Sequence, residues 1–125
     1  MALEQARIKS TDTTVLTVPA EKRYAITTIM VCNIANTADT SINIAEFDMH
    51  LVKQGSTINL TNMVINTLEL PPGETFTFDS EKIILDEGDR VTFVATPPID
   101  PSITDPNDPL FQITNLSATV SYLEV

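Results

Sequence analysis

Apolar and polar residues alternate with a period of two along most of this chain, in short runs bounded by turn residues. "TTVLTV" at 13–18 is one such run, closed by Pro19, which has no N–H to give to a ladder. "YAITTIMVCNIAN" at 24–36 is longer and apolar on both faces, which places it centrally in a sheet or under another subunit. In "TSINIAEFDMHLV" at 40–52 the phase changes. Ile42 and Ile44 share one parity, and Phe47, Met49 and Leu51 the other, so a β-bulge is expected near Ala45–Glu46. Residues 56–70 hold one or two further strands. In "PPGE", Pro72 and Gly73 suit the two central positions of a type II turn, and "TFTF" then puts Phe76 and Phe78 on one face. "KIIL" and "RVTFVAT" flank "DEGDR" and read as a hairpin that turns at Gly88. At the end, Leu116, Ala118, Val120 and Tyr122 alternate with Ser117, Thr119 and Ser121.

Helical periodicity is missing, and good helix formers are sparse beside Thr, Ile and Val. Seven to nine short strands with regular turns and no substantial helix predict an all-β chain. The expected fold is an antiparallel β-sandwich, Ig-like or jelly-roll-like. Residues 1–12 read as an N-terminal arm or edge strand, and 13–125 as a single domain. The expected core includes Leu16, Ile26, Ile29, Val31, Ile44, Phe47, Phe93 and Val120.

Charge narrows the function classes. At 125 residues with a formal charge of −10, the chain is repelled by phosphate backbones, so no nucleic-acid partner is expected. No apolar run approaches the ~20 residues of a membrane helix, and "MALEQARIKS" lacks the apolar stretch of a signal peptide. The lone Cys32 cannot form an internal disulfide and is expected to pack as a small buried hydrophobe, which fits a reducing cytoplasm. The acids concentrate in residues 69–89, against the single base Lys82 there. Residues 1–23 instead carry Arg7, Lys9, Lys22 and Arg23 against Glu4, Asp12 and Glu21. A near-neutral N-terminal segment beside an acidic body suits docking on a neighbouring copy, with Arg7 and Lys9 as contacts.

No catalytic set is legible, so an enzyme is not expected. The lone histidine, His50, has parity opposite to Phe47, Met49 and Leu51 and is expected to face solvent. No serine sits in a G-x-S-x-G elbow. One Cys and one His cannot supply the usual ligands of a zinc site, and Gly55, Gly73 and Gly88 each serve a separate turn. No cofactor is expected. The segment "TPPIDPSITDPNDPLF" at 96–111 interrupts the strand pattern with five of the chain's eight prolines. Its Asp100, Asp105, Asn107 and Asp108 carry the oxygens that calcium takes, but not in EF-hand spacing, and Asp-Pro and Asn-Asp pairs belong equally to ordinary turns. The segment therefore reads as an exposed, proline-stiffened loop, with Ile99, Ile103, Leu110 and Phe111 as apolar anchors for a neighbouring subunit.

Three blocks in order, "VLTVPAEKRYAITTIMVCNIANT", "LELPPGETFTFDSEKIILDEGDRVTFVAT" and "ATVSYLEV", resemble small β-sandwich virion proteins of tailed bacteriophages of the marine myovirus type. Together they cover about half the chain. The resemblance implies a non-enzymatic structural protein made in the host cytoplasm and built into the virion. Its role would be that of a decoration (cement) or connector component on capsid, neck or tail. It would be repeated in many copies among other virion subunits. A homotrimer or higher ring is expected, because closed symmetric assemblies are usual. Glu21 stands where the family places glycine in the first turn, so that turn is expected to be reshaped. A carbohydrate- or receptor-binding sandwich, calcium-assisted, is the alternative.

Overall fold

The computed structural model describes residues 2–35 and 43–125, with the backbone alone at 80–82. Eight strands follow one another: β1 (Ala2–Lys9), β2 (Thr13–Thr17), β3 (Tyr24–Asn33), β4 (Ala45–Val52), β5 (Met63–Leu70), β6 (Thr75–Leu85), β7 (Arg90–Thr96) and β8 (Ile113–Glu124). There is no helix among the described residues. The strands form two four-stranded sheets, ordered β1-β8-β3-β6 and β2-β7-β4-β5, in which every pair is antiparallel.

The pairing follows a simple rule. The first strand pairs with the last, the second with the seventh, the third with the sixth and the fourth with the fifth. This is one long antiparallel ribbon wound over itself, and the contacts β3–β8 and β4–β7 close the two sheets. Of the two sandwich types expected, the order is that of a jelly roll.

Alternation builds the core. Inward side chains of both sheets, including Ile26, Ile29 and Val31 of β3, Phe47 and Met49 of β4, Phe93 of β7 and Val120 of β8, are buried between them. Phe47 packs edge-on against Phe76 at 5.8 Å and tilted against Phe93 at 6.2 Å, joining the two sheets at the centre. Truncating such a side chain to Ala costs about 3–5 kcal/mol. Ile8 of β1 is equally buried, so residues 2–9 form an edge strand in their own sheet rather than a free arm.

Several expectations need correction. β6 and β7 do not pair as a hairpin, because the turn at 86–89 carries the chain from one sheet to the other. Gly88, at φ +81°, does make that turn, and a Cβ there would lie 2.5 Å from Gln54. No bulge interrupts β4 near Ala45–Glu46, since its register against β7 runs unbroken from Glu46 to Val52. The extra residues fall instead in the edge strand β5, where Phe47 and Met49 oppose Leu68 and Ile65, and His50 opposes Met63. An edge strand has a free side to absorb them, whereas β4 is held by β7. The bulge leaves Thr67 at φ +52°, and its N–H donates to the Asp48 carboxylate at 2.7 Å. Ile44 lies outside the core with its side chain exposed, and Ile42 lies outside the described residues. Cys32 is half-buried on the outward face of β3 rather than buried in the core.

The first turn is not reshaped by Glu21. The Lys22 N–H donates to the Pro19 carbonyl at 3.3 Å, and Glu21 itself takes φ +65°, the left-handed conformation that glycine adopts freely. Its N–H is held by the Glu87 carboxylate at 2.9 Å. Gly73, at φ +79°, makes the expected turn between β5 and β6, where the Glu74 N–H donates to the Pro71 carbonyl at 3.2 Å.

Candidate functional site

Three regions hold the side chains with functional potential: the 96–111 loop and the outward faces of the two sheets. The loop follows β7 and consists of successive tight turns. The N–H of Ile103 bonds the carbonyl of Asp100, Asp108 that of Asp105, and Phe111 that of Asp108. At its ends the Ile99 N–H donates to Ile113, and the Ser10 N–H to Gln112, tying the loop to β8 and to the β1–β2 connection. Each aspartate is spent locally. Asp100 accepts from the Ser102 N–H, Asp105 from Asn107 and Asp108 from Leu110, each through Oδ1 at 2.9–3.0 Å. The bonds from the Ser102 hydroxyl and N–H hold the Asp100 carboxyl below its ordinary range. Among the described residues no group of three or more His, Cys, Asp and Glu is placed to hold a metal ion, so Asp100, Asp105 and Asp108 are not brought together as ligands. Of the four apolar anchors, Ile99 and Leu110 are exposed, while Ile103 and Phe111 are half-buried. Ile99 borders a cavity of about 130 Å³ with Pro97, Pro98 and the exposed Ile44.

On the β2-β7-β4-β5 sheet, the outward side of β4 carries Glu46, Asp48 and His50. Glu46 stands directly opposite Glu69 of β5, so two like charges are neighbours across the strands. His50 does not face solvent, as its parity suggested. Only 3% of it is exposed, because the segment between β4 and β5 folds back over it. Asn62 pins that segment: its Oδ1 lies 2.7 Å from His50 Nδ1 and accepts from the Asn59 N–H, and its Nδ2 donates to the Thr57 carbonyl. The only histidine is thus a structural hydrogen-bond partner.

The outward side of the β1-β8-β3-β6 sheet is different. Its strands align in three rungs running from β1 to β6. Leu3, Ser121, Thr28 and Asp79 form the first. Gln5, Thr119, Met30 and Thr77 form the second. Arg7, Ser117, Cys32 and Thr75 form the third. Beyond the first rung lie Leu123, Ala25 and Ile84. Small neutral side chains dominate, with Leu3, Met30, Ile84 and Leu123 exposed among them. The rungs hold only two charges, Arg7 and Asp79, at opposite corners. The Arg7 guanidinium donates to the Thr114 carbonyl at 2.6 Å, and Asp79 accepts from the Thr28 hydroxyl at 3.4 Å. Among the described residues neither makes an ion pair; the pairs present are Lys22–Glu124 and Arg23–Asp86.

The two tyrosines of the chain do not stand over an open face. Tyr24 and Tyr122 stack on each other at 4.3 Å, and burial, with the neighbouring Tyr24 and Glu4, pushes the Tyr122 phenol up. No known protein family, curated protein or solved structure matches the chain. Among the described residues no helix is long and apolar enough to cross a membrane.

Neutral faces of this kind carry no signal that periodicity alone reveals. The signal present in the sequence was the run Ser117, Thr119, Ser121 in β8, which has no charge at any outward position in a strongly acidic chain.

Proposed function

We propose that this protein is a non-enzymatic structural component of a tailed-phage particle, a decoration or connector subunit on capsid, neck or tail. It binds neighbouring subunits through β1, its other edge strands and the 96–111 loop. The observation that carries the reading is the division of labour among side chains. Groups with chemical potential are spent inside the fold: His50 on Asn62, and the loop aspartates on their own turns. Apolar side chains that the core leaves out are offered to the outside instead, Ile99 and Leu110 on the loop and Leu3 and Met30 on a sheet face. The blocks that resemble virion proteins take in β3, β6 and β7 whole, with parts of β2, β5 and β8. The carbohydrate- or receptor-binding alternative has less support, since among the described residues Asp100, Asp105 and Asp108 are not grouped to hold a metal ion and the tyrosines stack on each other.

Mass spectrometry and cryo-electron microscopy of the source particle test this reading. The protein is expected in many copies at fixed positions, with residues 98–109 against a neighbour. Its absence from purified particles would overturn the proposal. Replacing 98–109 by a short Gly-Ser linker is expected to leave the fold intact and to lower incorporation.

A further inference from the structure

The three rungs of the β1-β8-β3-β6 sheet form a nearly square patch. Rungs are two residues apart, about 6.8 Å, so three rungs span about 14 Å; four strands at about 4.8 Å also span about 14 Å. Arg7 occupies the corner on β1 at the third rung, and Asp79 the corner on β6 at the first. Among the described residues the patch holds no other charge, in a chain whose net charge is −10. Two acidic copies repel one another over most of their surface, but this patch brings no acid against acid.

We propose that two copies of this chain pair face to face through this patch about a twofold axis, with Arg7 of each copy over Asp79 of the other. The geometry selects a second copy as the occupant. A twofold axis in the plane of the interface, along the diagonal from Leu3 to Thr75, exchanges the other two corners. Each Arg7 then meets an Asp79, and the two ion pairs form at once. The same axis brings Leu3 of each copy, which is 56% exposed, against its equivalent and buries both Met30 side chains. Because the axis runs diagonally, the strands of the two sheets cross at about 90°, one of the two ways in which sheets stack. A closed isologous pair follows, with no open end to propagate.

Size sets the strength. With half a spacing added beyond the outer strands and rungs, the patch measures about 19 by 20 Å and covers about 400 Å² of each copy, half the roughly 800 Å² per partner of a standard interface. The apolar row Leu123, Ala25 and Ile84 extends it at one end. The pair is therefore reversible and concentration-dependent. A pair, rather than the trimer or ring that closed symmetry suggested, is the state expected of the free protein. This pairing does not depend on the virion reading, and it is tested on purified protein without any particle.

Sedimentation velocity over a concentration series is expected to move from monomer to dimer. Asp79→Arg sets Arg7 against arginine, and two lost ion pairs plus the new repulsion weaken the dimer about tenfold or more. Arg7→Asp combined with Asp79→Arg restores it. Met30→Lys abolishes it without a change of charge at either corner. Cys32 lies on the same face, so its alkylation slows as the wild-type concentration rises and stays fast in Asp79→Arg. Arg7 also bonds the Thr114 carbonyl, so the double variant is read only after circular dichroism shows a native fold; the Asp79→Arg and Met30→Lys arms stand without it. A wild-type chain that stays monomeric at the highest concentration overturns the proposal. So does a dimer or larger assembly indifferent to Asp79→Arg and Met30→Lys, or a Cys32 alkylation rate independent of concentration.

Discussion

The outward faces of the two sheets grow from the same alternating strand pattern, yet they have opposite characters. On the β4 side, Glu46 and Glu69 face each other, Asp48 holds a bulge, and the β4–β5 segment folds over His50. On the β3 side lie Ser, Thr, Met and Cys, Met30 exposed and Cys32 half-buried, with one cation and one anion at opposite corners. The first face is acidic and partly covered by its own chain, so it repels a second copy. The second is neutral and uncovered, and interface centres are typically depleted of charge in this way. Function in such a protein follows from what each sheet leaves unused on its outside.

The sharpest way to break this contrast is to uncover the acidic side. Asn62→Ala removes the bonds to His50, to the Asn59 N–H and to the Thr57 carbonyl, and leaves the His50 ring without its partner. A loss of about 2–3 kcal/mol is expected by urea denaturation, with faster amide exchange at 57–62. An unchanged midpoint would mean that the segment is not pinned through Asn62. Next in size is the turn that carries the chain between the sheets. Glu21→Gly relieves the left-handed conformation and is expected to raise stability by about 0.5–1 kcal/mol, read as a higher melting temperature. Glycine keeps the N–H that bonds Glu87, so a fall would show that glycine's added freedom in the unfolded chain outweighs the relief of the left-handed conformation. Glu69→Lys turns the repulsion opposite Glu46 into attraction and adds about 0.5 kcal/mol, an increment that high salt removes. The smallest effect belongs to the open face. Met30→Thr is expected to change monomer stability by less than about 0.5 kcal/mol, because the side chain lies outside the core on the exposed side of β3. A larger loss would mark Met30 as part of the monomer's packing.

The strands and turns of this fold were legible because their signals are local. Pro19 and the pairs Pro72–Gly73 and Gly88–Asp89 mark turns, and alternation marks β8 over most of its length. The partition into sheets was not legible. "DEGDR" has the residues of a hairpin turn, and the same residues serve as well to carry the chain from β6 in one sheet to β7 in the other. Parity correctly placed His50 on the outward side of β4 but could not foresee the segment that covers it. Glu21 misled in the same manner, since its contact with Glu87 comes from the far side of the turn pair. The loop at 96–111 was recognisable from its prolines, and the local bonding of its aspartates follows from Asx-turn chemistry.

By itself the sequence determined that the chain is all-β, where most of its strands run to within a few residues, which residues bend it and how acidic it is. These depend on backbone preference and on alternation over a few residues. Only the tertiary structure decided that the strands wind as a jelly roll, that the lone histidine is shielded, and that Arg7 and Asp79 stand at opposite corners of one neutral square. Strand pairing is a contest among distant segments, won by the arrangement that buries the most apolar surface while satisfying the backbone, and no local pattern records its outcome.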